Sequence, residues 1–268
     1  MKKSLLILLF YILSQFVALN LARVAGAVAG GGAQPSPAVQ GASLLVSSLL
    51  LLLLLWALRL VRFRPQGRGR VRSRWAAGLA MPAVLLLCLG LSLLFKPLSL
   101  DDGGQMALFD AMKGNVLCLL LLCVVGPLTE EMVFREGLLR HLSAAGLPPL
   151  LAAAVSAGVF ALVHGNLAQA FPAAVLGFVL GLLYLRTADV RLCFPAHALN
   201  NTLAVLFLYF PGAEAALLPD GLGRTLAVGA AWTVAGAGML VLAWPHLRLV
   251  ASSAAGRKPE SVGKAAKS

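Results

Sequence analysis

Three short polar clusters interrupt an otherwise apolar chain, and each holds side chains able to move protons or stabilise charge. The first is Gly126-Pro127-Leu128-Thr129-Glu130-Glu131-Met132-Val133-Phe134-Arg135. Glu131 and Arg135 are four residues apart, so on a helix they share a face and pair. Glu130 points about 100° away and keeps its carboxylate free for general-base work. Pro127 predicts the end or a kink of one helix, and Thr129 suits the cap of a new helical segment. The second cluster sets Phe160 and His164 on one helix face, and the third does the same for His197 and Asn201. An imidazole and an amide on one face can both donate hydrogen bonds in one direction.

Taken singly, each cluster has an ordinary structural explanation. The first reads as a solvated helix start, the second as an interfacial histidine and the third as an interhelical hydrogen-bonding pair of the kind membrane bundles use. Taken together they are less ordinary. A charged side chain inside a bilayer costs about 2.5–3.5 kcal/mol on the insertion scale, so each demands a reason. His141 and His246 fall at expected interfaces and need no special role.

The elements that must position these residues are membrane spans. Hydrophobic residues make up 60% of the 268-residue chain and charged residues 12%, against about 45–50% and about 25% in globular domains. So few charges cannot cover a water-facing surface, which excludes a soluble enzyme and a disordered chain. The expected fold is an all-α, polytopic transmembrane helix bundle. Apolar runs predict eight spans, at 4–22, 42–58, 76–95, 107–127, 147–163, 168–185, 192–210 and 225–244. The fourth, fifth and seventh are interrupted or flanked by polar residues.

The net charge of +12 then becomes topology. With Lys2 and Lys3 in the cytoplasm, the same side receives Arg59, Arg62, Arg64, Arg68, Arg70, Arg72 and Arg74 between the second and third spans. It also receives Arg135, Arg140, Arg186, Arg191 and the basic residues from Arg248 onward. The other side receives Arg23, Lys96 and Arg224, and Lys113 lies in or beside the fourth span. This asymmetry predicts both termini in the cytoplasm. The arginine loop also suits anionic lipid headgroups of the bilayer, whereas no nucleic-acid-binding motif accompanies it.

Residues 30–41 read as a flexible external loop and 251–268 as a disordered basic tail. A signal peptide ending near Ala25-Gly26-Ala27-Val28-Ala29 is the rival reading of the first span, whose apolar stretch exceeds a usual signal core. Cys88, Cys118, Cys123 and Cys193 match no zinc or redox spacing and read as buried thiols. There is no HExxH, no GxSxG and no convincing Ser/Lys dyad.

Glu130-Glu131-x-x-x-Arg135, Phe160-x-x-x-His164 and His197-x-x-x-Asn201, in that order, resemble the CPBP family. This is the group of type II CAAX prenyl proteases and bacteriocin-processing or immunity proteins, also called ABI proteins. The resemblance covers roughly residues 115–210 and extends to the Gly177-x-x-x-Gly181 helix with Tyr184 and Arg186. It divides the chain into N-terminal helices (1–106), a CPBP-like core (107–210), a last span (211–250) and the tail (251–268).

The resemblance implies an intramembrane endopeptidase. It assigns Glu130 as the catalytic glutamate that activates water with His164. It assigns His197 and Asn201 to the oxyanion, and Glu131, Arg135 and Phe160 to support. It implies no cofactor, with zinc on Glu130, His164 and His197 as the alternative. The implied partner is a membrane-anchored protein or peptide substrate, cut in the cytoplasmic half of a bacterial inner membrane. A non-catalytic membrane partner or a transporter is the reading from another class, since intramembrane Glu, His and Asn also build ion pathways. No inverted repeat supports it.

Overall fold

The structure, a computed structural model, describes residues 2–28, 35–63, 70–71, 73–210, 212, 221–247 and 249–250. Its helices are α1 (Lys2–Val28), α2 (Pro37–Ala57), α3 (Arg74–Phe95), α4 (Gln105–Met112), α5 (Val116–Ala144), α6 (Pro149–Leu162), α7 (Leu167–Thr187), α8 (Val190–Tyr209) and α9 (Leu222–Ala243). Two two-residue strands, β1 (Arg70–Val71) and β2 (Leu249–Val250), pair antiparallel; otherwise the described fold is helical. Arg64, Arg68, Arg72, Arg248, residues 29–34 of the expected loop and signal-peptide boundary, and the tail from Ala251 lie outside the described residues.

Seven described helices, all but α4 and α6, are long and apolar enough to cross a membrane. The chain is an integral membrane protein by this measure. The fifth expected span is α6, whose 14 residues reach about 21 Å against a hydrocarbon core of about 30 Å. It packs closely on α7: Ala153 and Ala157 lie against Gly181 and Gly177, where the missing side chains allow close approach.

Two boundaries move for local reasons. Helix α2 begins at Pro37, inside the expected loop, because the Ser36 hydroxyl accepts from the Val39 N–H and proline suits the first helical position. The fourth span is not 107–127 but α5, and α4 is a separate helix before it. Asn115 restarts the chain by accepting from the Leu117 and Cys118 N–H groups at 2.9 and 3.2 Å. The span then runs through five charged residues, Glu130, Glu131, Arg135, Glu136 and Arg140. Glu131 pairs with Arg135 and Glu136 with Arg140 one turn on, so the helix continues where apolar content alone ends it. Arg135 is therefore buried in the bundle and is not a loop charge.

The bundle closes around α5. Gly41 of α2 faces Cys118, and Ile7 of α1 lies against Gly137. The Tyr11 ring meets Phe134 edge-on at 5.4 Å. The α3–α9 crossing brings backbone against backbone. A Cβ on Gly90 would sit 2.5 Å from the Thr233 backbone nitrogen, and one on Gly236 would sit 2.6 Å from the Ala83 carbonyl oxygen.

Candidate active site

Helix α5 is not a uniform α-helix. Leu121–Val125 and Met132–Leu139 are π-helical, and the α-helical turn Gly126–Glu131 lies between them. Such wide turns concentrate at functional positions. Here the cause is local. Pro127 has no N–H and its ring opposes an ordinary α turn. The chain answers with a wider turn, in which the Gly126 N–H donates to Leu121 rather than Leu122. The Leu122 carbonyl then lacks its α partner, Gly126, and its π partner, Pro127. Asn201 Nδ2 supplies the missing donor at 3.2 Å. Pro127 therefore neither ends the span nor leaves Thr129 to cap a new helix. The Thr129 hydroxyl donates back to the Val125 carbonyl at 2.7 Å.

Glu130 and Glu131 sit at the middle of α5 rather than at its boundary. Glu131 is fully buried (0% exposed), with Oε1 2.8 Å from His197 Nδ1 and Oε2 3.1 Å from Arg135 Nε. Arg135 is 1% exposed. Its approach to Glu131 is an ion pair without hydrogen-bond angles, and its guanidinium carbon lies 4.9 Å over the Phe160 ring. Glu130 keeps 23% of its side chain exposed, and Oε2 lies 3.4 Å from His197 Nε2. His197 is thus held between the two carboxylates.

Phe160 is the divider of the site. Its ring meets His164 edge-on at 4.8 Å, His197 at 5.8 Å and Phe134 at 5.0 Å. His164 Nδ1 lies 2.7 Å from the Phe160 carbonyl, which accepts, so Nδ1 carries the hydrogen and a neutral His164 leaves Nε2 as an acceptor. Ser156 fixes α6 to α5 by donating to the Phe134 carbonyl at 2.9 Å.

The structure therefore gathers Glu130, Glu131, Arg135, Phe160, His164 and His197, and sets Asn201 one turn farther along α8. The imidazole within reach of Glu130 is His197, and the Phe160 ring contacts both histidines between them.

Glu131 and Arg135 set opposite charges side by side. A proton moving between Glu130 and His197 leaves the total charge of the site unchanged where charge is costly.

Sequence reading missed a second buried network. The Tyr184 hydroxyl donates to Glu136 Oε2, and Arg140 Nε lies 2.9 Å from Glu136 Oε1. Arg140 Nη2 also donates to the Leu60 carbonyl at 2.8 Å. The available signal was Glu136-x-x-x-Arg140, which repeats the Glu131-x-x-x-Arg135 spacing five residues on.

Among the described residues no three His, Cys, Asp or Glu side chains converge as a ligand set. Glu131 engages His197 Nδ1 and a backbone carbonyl engages His164 Nδ1, which orients both rings.

Residues 112–203 match a family model described as type II CAAX prenyl endopeptidase Rce1-like. Over this segment the chain is similar to the CPBP family, the group that includes the Rce1-like endopeptidases. The Rce1-like match covers about a third of the chain, from the end of α4 to the middle of α8. It includes all three polar clusters; α1–α3 and α9 lie outside it. No curated protein and no solved structure matches the chain.

Proposed function

We propose that the chain is an intramembrane endopeptidase that hydrolyses a peptide bond of a membrane-anchored protein or peptide, with water as the nucleophile. One observation carries the reading: a partly open glutamate, Glu130, beside a histidine, His197, that a buried Glu131–Arg135 pair holds in place. The Rce1-like match over the same residues supports it. The site residues take the following roles. Glu130 accepts a proton as the water oxygen attacks the scissile carbonyl carbon, and His164 Nε2 accepts a hydrogen bond that orients that water. His197 Nε2–H and the second Asn201 Nδ2 hydrogen donate to the tetrahedral oxyanion, a role worth about 10²–10³ in rate per donor. The C–N bond then breaks, and the proton on Glu130 passes to the leaving amine.

The membrane is a bacterial inner membrane in this reading. The anchored substrate is a protein with a C-terminal anchor or sorting tail, or a leader peptide. Glu130→Gln and His164→Ala each abolish cleavage while the protein still inserts and purifies. Full activity in Glu130→Gln sinks the assignment. Activity that survives a strong chelator, in protein without bound zinc by elemental analysis, separates this mechanism from its zinc-dependent alternative.

A further inference from the structure

The two ends of the bundle differ in charge. Arg140 and His141 reach the Leu60 carbonyl, and Lys2 and Lys3 line a pocket with His141 and Ala144. Gly177 and Gly181 of α7 lie against Ala157 and Ala153 of α6, so these helices run antiparallel, and Arg186 joins Arg140's end, donating to the Trp244 carbonyl. That end also carries Arg59, Arg62 and Arg191. The far end carries Arg23, Lys96, Lys113 and Arg224, offset by Asp101, Asp102 and Asp110. Contacts there include Ala168 N–H to the Asp101 carbonyl and Lys113 to the Leu208 carbonyl.

The site is sealed toward the basic end and loosens toward the other. Every residue from Glu131 to Leu139 is buried. On α8 the buried residues stop at His197, and none from Ala198 to Phe210 is buried. This looser side carries His164, Asn166, Gln169, Asn200 and Asn201, with Asn166 donating to Gln169 at 2.9 Å; on the basic side Glu136 is taken up by Tyr184 and Arg140. A peptide and water therefore meet polar groups on one approach and packed leucine, phenylalanine and ion pairs on the other.

Resting on the endopeptidase reading, we propose that the site opens at the end poor in positive charge, that this end faces away from the cytoplasm, and that the substrate bond lies beside the extracytoplasmic end of a membrane anchor. Basic residues stay on the cytoplasmic side, so the opening and the charge point in opposite directions. This replaces the expectation of cleavage in the cytoplasmic half, which rested on placing Glu130 at a cytoplasmic boundary.

The test is thiol modification in full-length protein in its own membrane, with a charged, membrane-impermeant methanethiosulfonate and the unsubstituted chain as blank. Leu167→Cys and Ala145→Cys mark the two ends, and Glu130→Cys reports access to the site. Leu167→Cys and Glu130→Cys react in intact cells, and Ala145→Cys reacts only in inside-out vesicles. Reversed markers, or Glu130→Cys reacting only in inside-out vesicles or from neither side, overturn the opening. Cleavage sites mapped by comparison with Glu130→Gln membranes fall on the outer flanks of anchors; sites on cytoplasmic flanks overturn the substrate class. If Glu130→Cys reacts from outside and wild-type and Glu130→Gln membranes do not differ, the opening stands and the endopeptidase reading fails.

Discussion

Arg135→Met removes the positive charge that lies closest to Glu131 and keeps an apolar stem of similar length. Arg135 and Glu131 are 1% and 0% exposed, with 3.1 Å between Nε and Oε2. Had the pair been on the surface, its loss would cost about 0–1 kcal/mol. Buried as it is, removal of one partner strands a carboxylate and costs about 3–5 kcal/mol. The substitution also removes the positive charge that offsets Glu131. Glu131→Gln/Arg135→Met removes both charges and keeps an amide oxygen to accept from His197 Nδ1. Its loss is therefore well below the sum of the single losses, with a coupling of about 2 kcal/mol or more. The assay is denaturant unfolding of detergent-solubilised protein, followed by tryptophan fluorescence for wild type, both singles and the double. An Arg135→Met cost under about 1 kcal/mol, or an additive cycle, refutes the claim that a buried ion pair holds the site.

Three other outcomes follow from the geometry. Asn201→Ala strands the Leu122 carbonyl and costs about 1–3 kcal/mol; Pro127→Ala in that background returns an N–H to the helix and regains stability in the same unfolding assay, but not cleavage. Gly177→Ala puts a Cβ 3.0 Å from Phe160 Cδ1 and 3.2 Å from Ala157 Cα, so it costs about 1–3 kcal/mol and lowers activity, whereas Gly181→Ala meets contacts of 3.5 Å or more and leaves the melting temperature nearly unchanged. The Gly104 and Met106 N–H groups hold Asp102 below the ordinary carboxylate range. That lowered value means its capping of α4 is fully present above about pH 3.9 and lost as pH falls further. Hydrogen exchange at Met106, measured relative to Asp102→Ala, shows constant protection at neutral pH and loss only in acid.

Most of the helix pattern was legible because a span leaves a long, uncharged run. The largest exception is the C-terminal half of α5. Apolar content ends a span at its first charges, so Glu130–Arg140 read as a boundary, while pairing at four-residue spacing carries those charges into the bundle. The Glu131–Arg135 pair was legible from spacing, and the resemblance supplied the grouping of three clusters. The π segments were not legible: the first is a backbone response to Pro127 that only the hydrogen-bond pattern displays, and nothing in the sequence marks the second. Nor was the Glu130–His197 approach, because a four-residue spacing fixes a helix face and not which neighbouring helix it meets. Tyr184 was visible only as a likeness, and its partner Glu136 lies 48 residues away.

The central claim is that Glu130 makes this membrane bundle a peptidase. The most direct measurement compares terminal peptides of membrane proteins in cells that make wild type or Glu130→Gln at equal levels. The account predicts that at least one protein keeps its anchor uncleaved in Glu130→Gln and loses it in wild type. Identical termini in the two membranes, with both proteins inserted and equally abundant, would contradict it.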